Sequence, residues 1–268
     1  MVRSFPVNKI LRAAIYQYRC RDETPAQRLR RLDQTLGGFE GELDLVICPE
    51  LFLSGYNVGT RIRELAEPRD GAFSQAASAL ARKRRTALVY GYPEAADNAI
   101  YNAAVCIDAA GTVIGHHRKL RLPNEFERSY FSPGNAYTLF NLNGWSVAIL
   151  VCYDVEFPEA VRACAARGAQ LVVAPTALKT EWAFVARNMV PTRAFENGLF
   201  VAYANYCGTE GTFEYLGESC FVSPKGTITA GGPAEALVTA ELDATEIEAA
   251  RRTLPYLDDC AIFGGIGS

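Results

Sequence analysis

The chain has 268 residues, of which 49% are hydrophobic and 21% charged, with a net charge of −3. That composition suits one large globular domain, and the scattered Lys and Arg argue against nucleic acid or an anionic membrane surface as the main partner. No apolar run approaches the roughly 18 residues a membrane helix needs, and the start, MVRSFPVNKILRAAIYQY, lacks a signal-peptide pattern; the expectation is a cytoplasmic protein whose first eight residues form a loose extension.

Strand and helix signals then alternate. LRAAIYQY (11–18) reads as a strand. TPAQRLRRLDQTLGG (24–38) reads as a helix, with Thr24 as N-cap, Pro25 at the first position, Leu29, Leu32 and Leu36 on one face, and Gly37 and Gly38 as the stop. LDLVICPE (43–50) is a buried strand ending in a carboxylate, GAFSQAASALARKRR (71–85) a helix and TALVYGYPE (86–94) a strand. AIYNAAVCID (99–108) and TVIGHHRKL (112–120) flank a turn, and AYTLFNL (136–142) and WSVAILV (145–151) flank Asn143-Gly144, a strong hairpin signal. FPEAVRACAARG (157–168) is a helix, AQLVVAP (169–175) a strand, and EWAFVARNMVPTRAFENG (181–198) a helix with a bend at Pro191. LFVAYAN (199–205), GESCFVS (217–223) and LVTAELD (237–243) are strands, and ATEIEAARR (244–252) is a last helix. Alternation and hairpins together, with no linker or repeat, give one α/β domain of mixed sheets with outer helices. The pattern leaves open whether there is one sheet or two.

The eight cysteines contain no CxxC pair, and the only histidines, His116 and His117, are adjacent. Neither a disulfide framework nor a structural metal is expected from those spacings. Cys152 stands apart. It ends the apolar run AILV and precedes Phe157-Pro158, where a helix opens. A residue on such a turn projects into the crevice beyond a sheet, and a helix N-terminus lowers the pKa of a nearby thiol. Two readings fit: a nucleophile, or a buried structural cysteine. A nucleophilic thiol needs a base. Glu50, at the end of LVICPE, can accept its proton, and Lys119, at the end of GHHRK, can hold a developing oxyanion; each also fits a solvated strand end.

In order and context, CPELFLSGY (48–56), HRKLRLP (117–123) and CYDVEFPE (152–159) resemble the three signature blocks of the nitrilase superfamily, the thiol-dependent carbon–nitrogen hydrolases. The resemblance covers essentially the whole chain after residue 8. It implies Glu50 as base, Lys119 as oxyanion-stabilising cation and Cys152 as nucleophile. FERSYFSPG (126–134) resembles the segment that carries a second active-site glutamate, which Glu127 matches better than Glu125. The resemblance also implies a four-layer αββα sandwich of two mixed sheets with outer helices, subunits that pair into a homodimer or higher oligomer, and no metal or organic cofactor.

Further segments, among them VYGYPE, NGWSVAILVCYDVEFPE and RRTLPYLDD, resemble the bacterial 5-aminopentanamidases of lysine breakdown. The chemistry this implies is an amidase: Cys152 attacks a small carboxamide, Lys119 and the Tyr153 backbone N–H hold the oxyanion, ammonia leaves, and water releases the acid from a thioester. A substrate ammonium buried without a partner would be costly, so Glu156, Glu210, Glu214 and Glu181 are candidates to receive it. Nitrile or N-carbamoyl hydrolysis, stereoselective amide hydrolysis, acyl transfer, and a non-catalytic binding protein are the alternatives.

Overall fold

The structure, a computed structural model, describes residues 10–260; the expected extension at 1–8 lies outside the described residues. Two six-stranded mixed sheets stack face to face. The first holds, in spatial order, β14 (Ala236–Asp243), β1 (Ile10–Gln17), β2 (Leu45–Ile47), β3 (Ala87–Ala96), β4 (Ala99–Ile107) and β5 (Val113–Arg118). The second holds β13 (Ile228–Ala230), β12 (Cys220–Val222), β9 (Phe200–Ala204), β8 (Leu171–Pro175), β7 (Trp145–Ile149) and β6 (Thr138–Leu142). Strands β1, β2 and β3 run parallel, as do β7, β8 and β9, and the flanking strands pair antiparallel.

The period of two along each strand sorts side chains between layers. Ala13 and Ile15 of β1 face the inter-sheet core with Ile47, Val89, Val147, Ile149, Val173 and Ala202. Their neighbours Ala14 and Tyr16 face outward, under α1 (Pro25–Gly37) and α3 (Ala72–Arg84). On the other side α5 (Pro158–Ala166) and α6 (Val190–Asn197) cover Ala148, Val172 and Val201. Each sheet is thus buried on both faces, which is why its central strands read as unbroken apolar runs. The strand and helix alternation left one or two sheets open; the family resemblance implied two in the αββα order, and two stacked six-stranded sheets with helices outside them are what the structure has.

Local chemistry explains the element ends. Thr24 and Gln27 form a reciprocal capping box at the start of α1, and Leu29, Leu32 and Leu36 are its buried face. Gly37 is not a left-handed stop; a Cβ there would lie 2.7 Å from the Arg84 guanidinium, the end of a flexible side chain. Asn143 and Gly144 both have positive φ, at 51° and 89°, as a two-residue hairpin of this hand requires. The bend expected at Pro191 is a π-helical turn over Val185–Met189, immediately before α6.

Several boundaries differ from the sequence expectation. β2 ends at Ile47 and β7 at Ile149, so Glu50 and Cys152 sit in irregular backbone beyond the strands rather than at their last residues. A 3₁₀ turn over Cys152–Glu156 separates the thiol from α5. The hairpin of β10 (Cys207–Glu210) and β11 (Phe213–Leu216) was not anticipated, nor were the short helices α2 (Arg61–Leu65), α4 (Glu125–Tyr130) and α8 (Tyr256–Asp259). These are pieces of four to six residues that tertiary contacts stabilise rather than periodicity. The helix expected at 244–252 is present as α7 (Ala244–Thr253).

Gly91 on β3 shows how closely this frame holds the Glu50 loop. A Cβ at Gly91 would lie 2.3 Å from the Leu51 backbone nitrogen and 3.0 Å from the Glu50 Cα. Gly91→Ala is expected to destabilise the fold by about 1–3 kcal/mol, the usual cost of overpacking, and to lower kcat in the folded fraction. Denaturant titration beside steady-state assays checks this; wild-type values in both would mean that the loop has slack.

Candidate active site

Glu50 sits in the turn after β2, and both sheets hold it. Its backbone N–H donates to the Thr176 carbonyl at 3.3 Å, and its own carbonyl accepts from the Tyr206 hydroxyl at 2.8 Å. Thr176 follows β8, and Pro49 accepts from Gly91 N–H of β3. Arg28, buried on α1, donates to the Phe52 carbonyl at 3.2 Å and steadies the same loop from outside. Leu51 takes φ of 49° to complete the turn. The loop therefore points a carboxylate into the space beyond the strand ends, with no exposure to solvent.

Lys119 is the first residue after β5. Its backbone N–H donates to the Asn102 carbonyl of β4 at 2.8 Å. Its side chain is 1% exposed, and Nζ donates to Glu50 Oε1 at 2.7 Å and to Glu127 Oε1 at 2.6 Å. Glu127 lies in the first turn of α4, where Asn124 caps its N–H at 2.8 Å. The Tyr56 hydroxyl donates to Glu127 Oε1 at 2.6 Å, and Asn102 Nδ2 donates to Glu50 Oε1 at 2.7 Å. The second oxygen of each carboxylate, Glu50 Oε2 and Glu127 Oε2, is buried and has no hydrogen-bond partner among the described residues. Two carboxyl groups thus flank one ammonium.

The charges decide which groups carry protons. Burial, partly offset by the Lys119 ammonium and reinforced by the Glu127 carboxylate, pushes Glu50 up to about 7. Burial alone would depress Lys119, but the Glu127 and Glu50 charges more than reverse it and hold the ammonium well above its ordinary value. Lys119 is accordingly held as a cation, while Glu50 can exchange a proton near neutral pH.

Cys152 comes from the second sheet and completes the cluster. It is half-buried, and both Glu50 and Lys119 act on its thiol electrostatically. It stands at φ of 47°, in the left-handed region that costs a non-glycine residue of order 1–3 kcal/mol. The expectation of a thiol acidified by a helix N-terminus is corrected here. The 3₁₀ turn displaces α5, and burial together with the Glu50 charge pushes the thiol above its ordinary value, Lys119 opposing. That direction favours the neutral thiol, and a neutral thiol can act as a nucleophile only with a base beside it.

The candidate amine receivers separate. Glu210 accepts from the Tyr56 and Asn57 backbone N–H groups at 3.2 and 2.6 Å and from the Tyr215 hydroxyl at 2.7 Å. It anchors the loop that presents Tyr56. Glu181 is exposed and paired with Lys179, and Glu214 is exposed. Glu156 is different. It is half-buried at the end of the 3₁₀ turn, and its carboxylate makes no hydrogen bond to a described residue; burial, opposed by Lys119 and Arg193, pushes it up to about 6. The Tyr153 ring packs edge-on against Phe157, 4.9 Å between centroids, which fixes the turn carrying its N–H.

Sequence reasoning missed Tyr56, Asn102 and Tyr206 as site residues. Tyr56 and Asn102 stand within the quoted CPELFLSGY and AIYNA, but their role depends on side-chain contacts across 71 and 52 residues. Among the described residues no group of three or more His, Cys, Asp or Glu could hold a metal ion, and no helix is long and apolar enough to cross a membrane. All eight cysteines are free thiols. A surface cleft of about 280 Å³, bordered by Arg121, Asn135, Tyr137 and Glu159, contains none of Glu50, Lys119, Glu127 or Cys152.

Residues 12–252 match the carbon-nitrogen hydrolase family. A protein described as a hydrolase in the pqqF 5′ region of Pseudomonas protegens is 42% identical over 256 residues, spanning 94% of this chain and 89% of its own. An (R)-stereoselective amidase from Pseudomonas sp. is 32% identical, spanning 93% and 91%. A cysteine-to-alanine variant of the amidase from Nesterenkonia sp. AN1, solved in complex with butyramide, superposes with a TM-score of 0.80 at 33% identity, over 91% of this chain and 95% of that one. In a glutamate-to-glutamine variant of that amidase the acetamide moiety of fluoroacetamide is covalently attached to the active-site cysteine, at a TM-score of 0.80 and 32% identity over 92% and 96%. The chain belongs to the carbon-nitrogen hydrolase family, the nitrilase superfamily, and is an enzyme of that class.

Removing the cation should expose the electrostatic debt of the site. In Lys119→Ala two buried carboxyl groups lose their counter-charge, which costs about 3–5 kcal/mol. Glu50, which burial already holds up, then lies further above its ordinary value, so the stability it contributes is fully present below that value and is lost as pH rises through its folded pKa. The stability gap to wild type is expected to be wider at about pH 8 than at about pH 5. Urea titrations at both pH values check it, and a gap independent of pH would contradict it.

Proposed function

We propose that the protein is a thiol amidase that hydrolyses small aliphatic carboxamides to the acid and ammonia. The single observation that carries this reading is the buried Lys119 ammonium between Glu50 and Glu127, beside the Cys152 thiol. In the acylation step Glu50 removes the thiol proton as sulfur bonds to the carboxamide carbon. The C=O electrons move onto oxygen, which Lys119 and the Tyr153 N–H stabilise; one such donor is worth about 2.7–4 kcal/mol. The proton on Glu50 passes to the amide nitrogen, the C–N bond breaks, and ammonia leaves a thioester on Cys152. Glu50 then takes a proton from water, hydroxide adds to the thioester, and the carboxylic acid departs as the thiol regains its proton. Glu127 holds Lys119 in place and shares its charge, so that the ammonium keeps its proton while Glu50 trades one. The butyramide held by the related amidase fits a substrate of this size.

For the particular substrate we infer an ω-amino amide, with 5-aminopentanamide the first to test. Glu156 supports this choice: four residues after Cys152, it is half-buried, feels the Lys119 charge, and its carboxylate makes no hydrogen bond to a described residue. No cofactor takes part, and a homodimer or larger homo-oligomer in the cytoplasm is the working form. The 32% identity to an (R)-stereoselective amidase favours a second reading, in which a bulkier chiral amide is the substrate. Ammonia release from amides, nitriles and N-carbamoyl compounds separates these readings. Wild type is expected to prefer 5-aminopentanamide over pentanamide, and Glu156→Gln to narrow that gap. A wild-type preference for pentanamide would make the enzyme a general aliphatic amidase.

Cys152→Ala is expected to fold normally and to lose at least about 1,000-fold in turnover. Lys119→Ala should lower kcat far more than it raises KM, because the cation acts on the transition state. The acid limb of kcat/KM should fall near pH 7, where Glu50 gains its proton. Asn102 hydrogen-bonds the charged form of Glu50, so Asn102→Ala should move that limb to higher pH. A limb that stays in place, or moves down, would assign it to another group.

A further inference from the structure

Asp154 stands two residues after the nucleophile and does not touch the catalytic cluster, yet it is 1% exposed and heavily bonded. Its carboxylate accepts the Val151 N–H at 3.2 Å and so closes a ring around Cys152, across which Asp154 N–H also donates to the Val151 carbonyl at 3.0 Å. Its Oδ1 accepts the Leu120 and Arg121 N–H groups, each at 3.0 Å. Oδ2 also pairs with His117 Nε2 at 3.2 Å, and the His117 ring is itself buried, with no partner for Nδ1 among the described residues. Leu120 and His117 belong to the strand end that presents Lys119, on the first sheet. Cys152 belongs to the second. One carboxylate therefore fastens the thiol turn to the lysine strand across the two sheets.

We propose that Asp154, oriented by His117, is the positioning residue that holds Cys152 in its left-handed conformation and fixes its distance from Lys119. The proposal rests on the reading of Cys152 as nucleophile. A non-glycine residue at φ of 47° persists only where its surroundings over-determine it. The ring closed by Asp154 spans that residue from both sides. Two backbone N–H groups after Lys119 meet the same carboxylate. A shift of the turn would thus move thiol and ammonium apart, and reactivity is steep in such placement.

The test compares wild type with Asp154→Asn, His117→Phe and, as a control for simple loss of packing, Val161→Ala in α5. Alkylation of Cys152 by iodoacetamide is followed by peptide mass spectrometry, beside kcat and KM on a small amide. Asp154→Asn places an amide NH₂ against N–H donors. It is expected to lower kcat about 100-fold and Cys152 alkylation at least about tenfold, with KM little changed. His117→Phe removes one partner and should lower alkylation by about three- to tenfold. Val161→Ala should lose stability and leave both rates at wild-type values. Asp154→Asn or His117→Phe protein that is folded and alkylates at the wild-type rate overturns the proposal; should Asp154→Asn not fold, His117→Phe decides alone. If wild type hydrolyses no amide, the amidase reading falls, while the alkylation comparison still decides the positioning role.

Discussion

One ammonium between two buried carboxyl groups is the constraint on which the rest of the structure depends. Lys119 bonds Glu50 at 2.7 Å and Glu127 at 2.6 Å, and none of the three meets solvent appreciably. Burying three ionisable groups costs several kcal/mol per ion unless geometry and further hydrogen bonds offset it. The offsets are visible: Asn102 on Glu50, Tyr56 on Glu127, and Glu210 holding the loop that carries Tyr56. Such an arrangement is poor value as a stabiliser, since apolar side chains would serve a core at least as well. It makes sense as a device that keeps a cation charged and a carboxyl group poised near neutrality.

The four layers exist to hold that device still. Glu50, Asn102 and Lys119 project from the first sheet, Thr176 and Cys152 from the second, and the apolar face between them leaves little room for the sheets to slide. The loops that carry Glu50 and Cys152 each use a strained non-glycine residue: Leu51 at φ of 49° beside Glu50, and Cys152 itself at 47°. Strain of this kind is affordable where backbone on every side is pinned. The Glu50 loop is pinned by Gly91, Thr176, Tyr206 and Arg28, and the thiol turn by Asp154.

Much of this was legible in the residues and some was not. Apolar runs and caps placed the strands and the long helices, because sheets buried on both faces write themselves as continuous hydrophobic stretches. The blocks around Glu50, Lys119 and Cys152 pointed to one family, and the structure gathers Glu50, Lys119 and Glu127 into one hydrogen-bonded cluster. What could not be read was anything that depends on contacts between distant segments. Glu210 looked like a loop carboxylate free to meet a substrate, and is fully engaged with Tyr56, Asn57 and Tyr215. The thiol was expected to be acidified by a helix that a five-residue 3₁₀ turn in fact holds away. His117 and Asp154 carry no local signal of their partnership, which spans 37 residues.

The central claim is that the cluster drives acyl transfer onto Cys152. Rapid acid quench of the enzyme with a small amide, followed by peptide mass spectrometry, tests it directly. The account predicts a transient adduct on the peptide containing Cys152, with the mass of the amide less ammonia, forming before acid accumulates. Turnover with no such adduct, or with the acyl group on another residue, would contradict it.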